Sequence, residues 1–140
     1  MITKTYQTET TKQPSLDVHR SRETGFPSPA TDHMEQRLNL HDHIVQRPTS
    51  TFFSRVVGDE SSGLGVYNND LLVIDRSLAY RHKTLVVADV EGELKVCRLW
   101  NSSKRWLLEF GDGSTLELYA NNEPETEIWG VITHVVHSCV

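Results

Sequence analysis

Histidine is the residue type in this sequence that first suggests metal chemistry. The 140-residue chain contains seven histidines, and His41 and His43 flank a single aspartate. On a helical turn, however, side chains two residues apart point in different directions, and His134 and His137 would lie on opposite faces of one strand. We therefore expect packed or solvated histidines, with no metal site and no bound cofactor.

Cysteine is the second candidate. Cys97 and Cys139 are the only cysteines, too few and too far apart for a disulfide framework or a paired-cysteine metal site, so a reducing compartment suits them. As a nucleophile Cys97 would need a base such as histidine beside it, and no pattern in the sequence places one there. A cysteine within a strand is usually a small buried apolar residue, which is the interpretation we favour.

Charge and hydropathy restrict the partners. A net charge of -5 offers no basic footprint for phosphates, so we expect no direct binding of nucleic acid and favour protein partners. No apolar run approaches the roughly 20 residues that cross a bilayer, and the N-terminus lacks the hydrophobic stretch of a secretory signal. These observations predict a cytoplasmic chain with no membrane partner.

The chain divides into two parts that must position any site. Residues 1–38 are rich in Thr, Ser, Glu and Arg without a helical or alternating period, which predicts a flexible N-terminal arm. Within it, the prolines of the segment GFPSPA at 25–30 favour an extended backbone, leaving the Thr24-Gly25 bond accessible. Residues 39–140 form the predicted folded domain.

The folded part has the pattern of an all-β domain. A short helical turn follows Asn39, a plausible cap. Short glycine-containing links at 91–92 and 111–113 are typical of turns between antiparallel strands, so we predict a barrel or sandwich. The seven predicted strands are 51–58, 70–75, 83–90, 93–100, 105–110, 114–119 and 127–136.

Several motifs occur in a defined order: GFPSPA at 25–30 followed by EQR at 35–37, GD at 58–59, NDLLVID at 69–75, GE at 92–93 and GVITHVV at 130–136. In this order the sequence resembles the UmuD-type proteins of the LexA-like superfamily of self-cleaving Ser/Lys peptidases. The resemblance covers most of the chain. It implies a LexA/UmuD-like β domain behind an extended arm, and a role as accessory subunit of an error-prone translesion DNA polymerase in the SOS response.

Both catalytic positions of that family are occupied by other residues. In the family, the serine of a Gly-Asp-Ser-Met loop attacks the chain's own arm, and a lysine on a later strand is the base. The corresponding positions here are Glu60 and Cys97. A serine becomes an acyl nucleophile only beside a base, such as a neutral lysine. Glu60 would form a high-energy anhydride and Cys97 has no amine, so we predict an inert site.

A displaced pair is the main alternative. Ser61 or Ser62 would replace the nucleophile and Lys95 the base. Lys95 shares a strand face with Cys97, but it is about 6.6 Å away along the strand, and Ser61 is also displaced by one residue. The cleavage segment departs as well, because the family cuts between a small residue and glycine, whereas Thr24 is β-branched and stiff.

The leading functional hypothesis is therefore a UmuD-like subunit that does not cleave itself. The resemblance implies a homodimer, or a heterodimer with an intact UmuD-like protein, that binds the catalytic subunit of the translesion polymerase and the recombinase filament. The alternatives are a self-cleaving peptidase that uses Ser61 and Lys95, and a LexA-like repressor. Against the repressor stand the acidic charge and the lack of a helix-turn-helix pattern.

Overall fold

The fold is one antiparallel β-sheet. The computed structural model describes residues 2–7, 37–118 and 126–140. The strands of these residues lie in the order β1-β2-β3-β8-β4-β5-β6-β7. The elements are β1 (Ile2–Gln7), α1 (Leu40–Ile44), β2 (Thr51–Val56), a one-turn 3-10 helix (Ser62–Leu64), β3 (Leu71–Asp75), β4 (Leu85–Val90), β5 (Glu93–Ser102), β6 (Arg105–Glu109), β7 (Thr115–Glu117) and β8 (Thr126–Val136).

The all-β fold class is confirmed. Strands β2 to β8 match the seven predicted strands, with ends that differ by one or two residues. The short helix is confirmed too, since the Asn39 side chain accepts a hydrogen bond from the Asp42 amide at 3.3 Å. No helix of the described residues is long and apolar enough to cross a membrane.

Strand β1 differs from the sequence-based assignment, which placed residues 1–38 in a flexible arm. It pairs antiparallel with β2, with Tyr6 opposite Phe53, and forms one edge of the sheet. Isoleucine, threonine and tyrosine occupy four of its six positions and favour strands. Local propensity does not reveal a pairing partner about 50 residues away, which is why the sequence missed it. The Thr24-Gly25 bond lies outside the described residues.

Both faces of the sheet are buried near its centre. Neighbouring residues of β4 belong to different apolar clusters, Val87 to the first and Val86 to the second, because side chains alternate along a strand. The first cluster contains Val56, Leu64, Val66, Leu72, Ile74, Val87, Val96 and Ile132. The second contains Val86, Ala88, Cys97, Leu99, Leu108, Leu118 and Val131.

Candidate functional site

The loop between β2 and β3 carries Glu60. It begins at Gly58, whose φ of +86° favours glycine over any residue with a side chain. The Gly58 amide donates to the Asn68 side-chain oxygen at 2.7 Å, and the Asn68 amide donates to the Asp59 carboxylate at 3.2 Å. These bonds join the two ends of the loop, so Glu60 is held on a closed turn with its side chain exposed to solvent.

Ser61 has the opposite environment, although it is the next residue. Its exposed fraction is 5%. It stands at the start of the 3-10 helix, where its carbonyl oxygen accepts hydrogen bonds from the amides of Leu64 at 2.9 Å and Val66 at 3.3 Å. The loop thus presents Glu60 to water and turns Ser61 inward.

Two glycines bring the turn between β6 and β7 against this loop. A Cβ atom added to Gly111 would overlap the Glu60 carbonyl oxygen and lie 2.8 Å from the Ser61 Cα. A Cβ atom added to Gly63 would overlap the Gly111 carbonyl oxygen. The contact therefore requires glycine on both sides. The sequence predicted 111–113 only as a link between strands, and a Gly-Asp-Gly turn carries no signal of its distant neighbour.

Cys97 lies in β5 and is fully buried. It belongs to the second apolar cluster, where its neighbours include Val86 and Leu108. Burial raises the pKa of the Cys97 thiol from 9.0 to about 12, and the nearby positive charge of Lys95 opposes this only in part. Its interpretation as a small buried apolar residue is confirmed.

Lys95 lies on the same strand face as Cys97 but reaches solvent. Its side chain is 39% exposed, and its Nζ lies 4.0 Å from the Glu93 carboxylate and 5.7 Å from the centre of the Phe110 ring. Ser61 and Lys95 both belong to the described residues, and no hydrogen bond or ion pair joins them. The turn between β6 and β7 lies against the loop that carries Ser61, but Ser61 and Lys95 do not form the displaced pair.

Comparison with known proteins decides the family. The model of the peptidase S24-like family matches residues 18–133. The chain belongs to this family. Protein ImpA of Salmonella typhimurium is 41% identical over 82% of this chain and 78% of its own length, and protein MucA of Escherichia coli is 37% identical over 79% and 75%. A LexA repressor from Shewanella woodyi is 30% identical over 87% of this chain and 54% of the repressor.

Within the S24-like family the chain is a UmuD-like protein, as the sequence motifs predicted. Protein SamA of Salmonella typhimurium, 35% identical over 81% of this chain and 78% of its own length, is a further UmuD-like relative. The matched region contains both Glu60 and Cys97, the positions at which the resemblance expects nucleophile and base. Neither residue has the chemistry of that pair, and they lie in opposite environments.

One polar pair of this S24-like chain was missed by the sequence analysis. The buried carboxylate of Asp70 lies 2.5 Å from His137 Nδ1, and its other oxygen accepts a hydrogen bond from the Tyr67 amide at 2.8 Å. An aspartate directly before an apolar strand was the available signal, since a buried carboxylate needs partners. The pair ties the C-terminal residues to the loop that carries Glu60.

Metal ligation finds no support among residues 2–7, 37–118 and 126–140. No group of three or more His, Cys, Asp or Glu side chains in these segments is arranged to hold a metal ion. His43 packs near His134, with ring centroids 6.4 Å apart, and His41 contacts the edge of Phe53. These histidines therefore pack α1 against the sheet.

Proposed function

We propose that this chain is a UmuD-like accessory subunit of an error-prone translesion DNA polymerase in the SOS response, and that it does not cleave itself. The observation that carries the proposal is the environment of Cys97. The position expected to hold a catalytic amine is a buried thiol whose pKa is raised to about 12, so it stays protonated near neutral pH and accepts no proton.

The nucleophile position supports the same proposal. An exposed carboxylate at Glu60 is well solvated, and its attack on an amide would form an anhydride, a product much higher in energy than the peptide. No hydroxyl stands at this position. Self-cleavage through the family's two positions therefore lacks both a nucleophile and a base.

Self-cleavage by Ser61 and Lys95 is the second candidate, favoured by the position of Lys95 on the face that Cys97 occupies. Two observations oppose it. Ser61 is buried with its carbonyl committed to the 3-10 helix, and Lys95 is partly exposed beside Glu93. A lysine that serves as base needs a desolvated, uncharged amine. The proposal therefore assigns the chain to binding rather than to catalysis.

Binding requires only that the β framework persists. The two apolar clusters stabilise the sheet from both of its faces. Surfaces that pair with a second subunit or dock on a polymerase need no catalytic side chains. We propose a homodimer, or a heterodimer with an intact UmuD-like relative, that binds the polymerase catalytic subunit and the recombinase filament in the cytoplasm.

Intact-mass analysis tests the loss of cleavage. The full chain is incubated with activated recombinase filament and separately at alkaline pH, with a UmuD-type protein that carries the Ser/Lys pair as the matched positive control. We expect the full mass to persist while the control is cut. A fragment that begins at Gly25 would contradict the proposal. If that fragment no longer formed in the Ser61→Ala and Lys95→Gln variants, cleavage would be assigned to the displaced pair.

Binding is tested separately by sedimentation and by pull-down with the polymerase catalytic subunit. We expect a dimer that retains the polymerase, with the intact relative competing for the same sites. A chain that stays monomeric alone and with the relative, and that fails to retain the polymerase, would overturn the accessory role.

A further inference from the structure

The basic residues of this acidic chain are concentrated in two segments. Residues 76–88 and 94–108 contain seven of the 14 Lys and Arg residues and none of the 19 Asp and Glu residues. The rest of the chain therefore has seven basic residues against all 19 acidic ones. The net charge, which led us to expect no nucleic-acid binding, conceals this separation.

The fold brings part of both segments to one end of the sheet. The Lys83 amide donates to the Leu99 carbonyl at 2.6 Å, and Arg98 Nη1 donates to the Lys83 carbonyl at 2.9 Å, so residues before β4 lie along β5. Lys104 stands in the turn between β5 and β6. We call Arg81, Lys83, Arg98 and Lys104 the basic end of the sheet.

The described carboxylates compensate the charges of the basic end only in part. Arg81, Lys83 and Lys104 are exposed and make no ion pair with another described residue. Arg105, beside them, is already paired with Glu117 at 2.7 Å, and Glu109 stands opposite Arg98. Three exposed cations of the basic end therefore have no carboxylate partner among residues 2–7, 37–118 and 126–140.

Two of these lysines have an unusual backbone. Lys83 and Lys104 have φ values of +70° and +68°, in the left-handed region that Gly or Asn occupies more easily. Two hydrogen bonds with β5 hold Lys83 there, since its amide donates to the Leu99 carbonyl and its own carbonyl accepts from Arg98. Both lysines are exposed turn residues, so their amines are accessible to an anionic partner.

Two aromatic residues occur beside these cations in the chain: His82 stands between Arg81 and Lys83, and Trp100 follows Arg98 by two residues on β5. The His82 ring meets Trp100 edge to face, with centroids 5.4 Å apart. His82 Nδ1 accepts a hydrogen bond from the Asn101 amide at 2.9 Å, so the proton of the neutral ring is on Nε2, which is a donor. The Trp100 indole N–H donates to Glu109 at 2.5 Å, which fixes the partly buried indole in place. Held rings beside cations suit the stacking of unpaired bases.

We propose that the basic end of the sheet binds single-stranded nucleic acid, with Arg81, Lys83, Arg98 and Lys104 contacting phosphates and the His82–Trp100 pair contacting bases. An acidic protein segment would match the charges but would leave the aromatic pair unused. A duplex would match the phosphates but would hide its base faces.

Fluorescence anisotropy of the full chain with a labelled oligothymidylate of roughly 20 nucleotides tests this proposal, since small single-strand-binding domains cover ~4–16 nucleotides. We expect Arg81→Gln with Lys104→Gln to weaken binding about tenfold and to lower the slope of log affinity against log salt by about 1.4, or ~0.7 for each lost phosphate contact. Circular dichroism establishes that each variant is folded.

The matched control is Arg37→Gln with Arg55→Gln, which changes the net charge equally at exposed residues elsewhere. The control pair should bind like the unaltered chain. An equal loss in both pairs would overturn the site. An abasic strand of equal length should bind about tenfold more weakly, and equal binding would overturn the role of the rings. Binding of polyglutamate without binding of oligothymidylate would overturn the nucleic-acid partner and indicate an acidic protein.

Discussion

Glu60 and Cys97 occupy the two positions where the family resemblance expects a catalytic pair, and they differ in both exposure and polarity. Glu60 is exposed on a loop whose backbone is fixed by Gly58 and Gly111. Cys97 is buried in an apolar cluster with its pKa raised to about 12. One position faces water, and the other has become part of the core.

The difference indicates how each position tolerates change. An exposed loop residue is less constrained by core packing than a buried residue, so more residue types fit there. A core residue is constrained by the volume and polarity of its neighbours. Placing an amine at Cys97 should therefore cost more stability than placing a hydroxyl at Glu60.

Cys97→Lys should have the largest effect. Burying an amine in this cluster favours its neutral form, and we expect a loss of roughly 5 kcal/mol of unfolding free energy at neutral pH, corresponding to a shift of ~3–5 pKa units. The unfolded lysine binds more protons, so stability should rise with pH toward about 10.4. Urea unfolding at two pH values measures this, with Cys97→Ala as control. Stability independent of pH would show that the amine reaches water.

The next largest effect should be the difference in reactivity between the Cys97 and Cys139 thiols. With a pKa of about 12, Cys97 should react with a disulfide reagent roughly 1,000-fold more slowly than the exposed Cys139. Because burial disfavours the thiolate, the unfolded state loses its proton first, and stability should fall as the pH rises from about 9 toward 12. Cys139→Ser should remove the fast phase. Two fast phases in the folded protein would mean that the core opens at β5.

Gly111→Ala should cost about 2 kcal/mol, because its new Cβ forces the turn and the Glu60 loop apart. Gly113→Ala is the matched control, since its surroundings are open and only its φ of +86° is unfavourable, at about 1 kcal/mol. Thermal unfolding measures the loss of stability in each variant. Amide hydrogen exchange of residues 60–64 should become faster in Gly111→Ala alone. Similar exchange in both would show that the glycine contact does not hold the loop.

Glu60→Ser should have the smallest effect, within about 0.5 kcal/mol, and should leave the chain uncut, because a hydroxyl without a base is not a nucleophile. Thermal unfolding and intact mass measure both outcomes. A destabilisation as large as that of Gly111→Ala would mean that the Glu60 carboxylate supports the loop and would remove the asymmetry.

The sequence by itself determined strands β2 to β8, the helix cap and the family. Alternating and β-branched runs set β2 to β8 within two residues, because burial of one or both faces requires those side chains at those spacings. Asn39 was recognisable as a cap for the same local reason, since its partner is only three residues away. The motif order was enough to predict the UmuD-like family.

Only the tertiary structure decided which distant groups meet. The Gly63–Gly111 contact, the Asp70–His137 pair and the pairing of β1 with β2 join residues at least about 45 positions apart, and the residue types alone name no partner. The basic end likewise depends on the pairing of β4 with β5, which brings its positive charges together. The net charge of the chain does not reveal this grouping. Local periodicity depends on neighbouring residues, whereas these contacts depend on the strand pairing and core packing of the whole sheet.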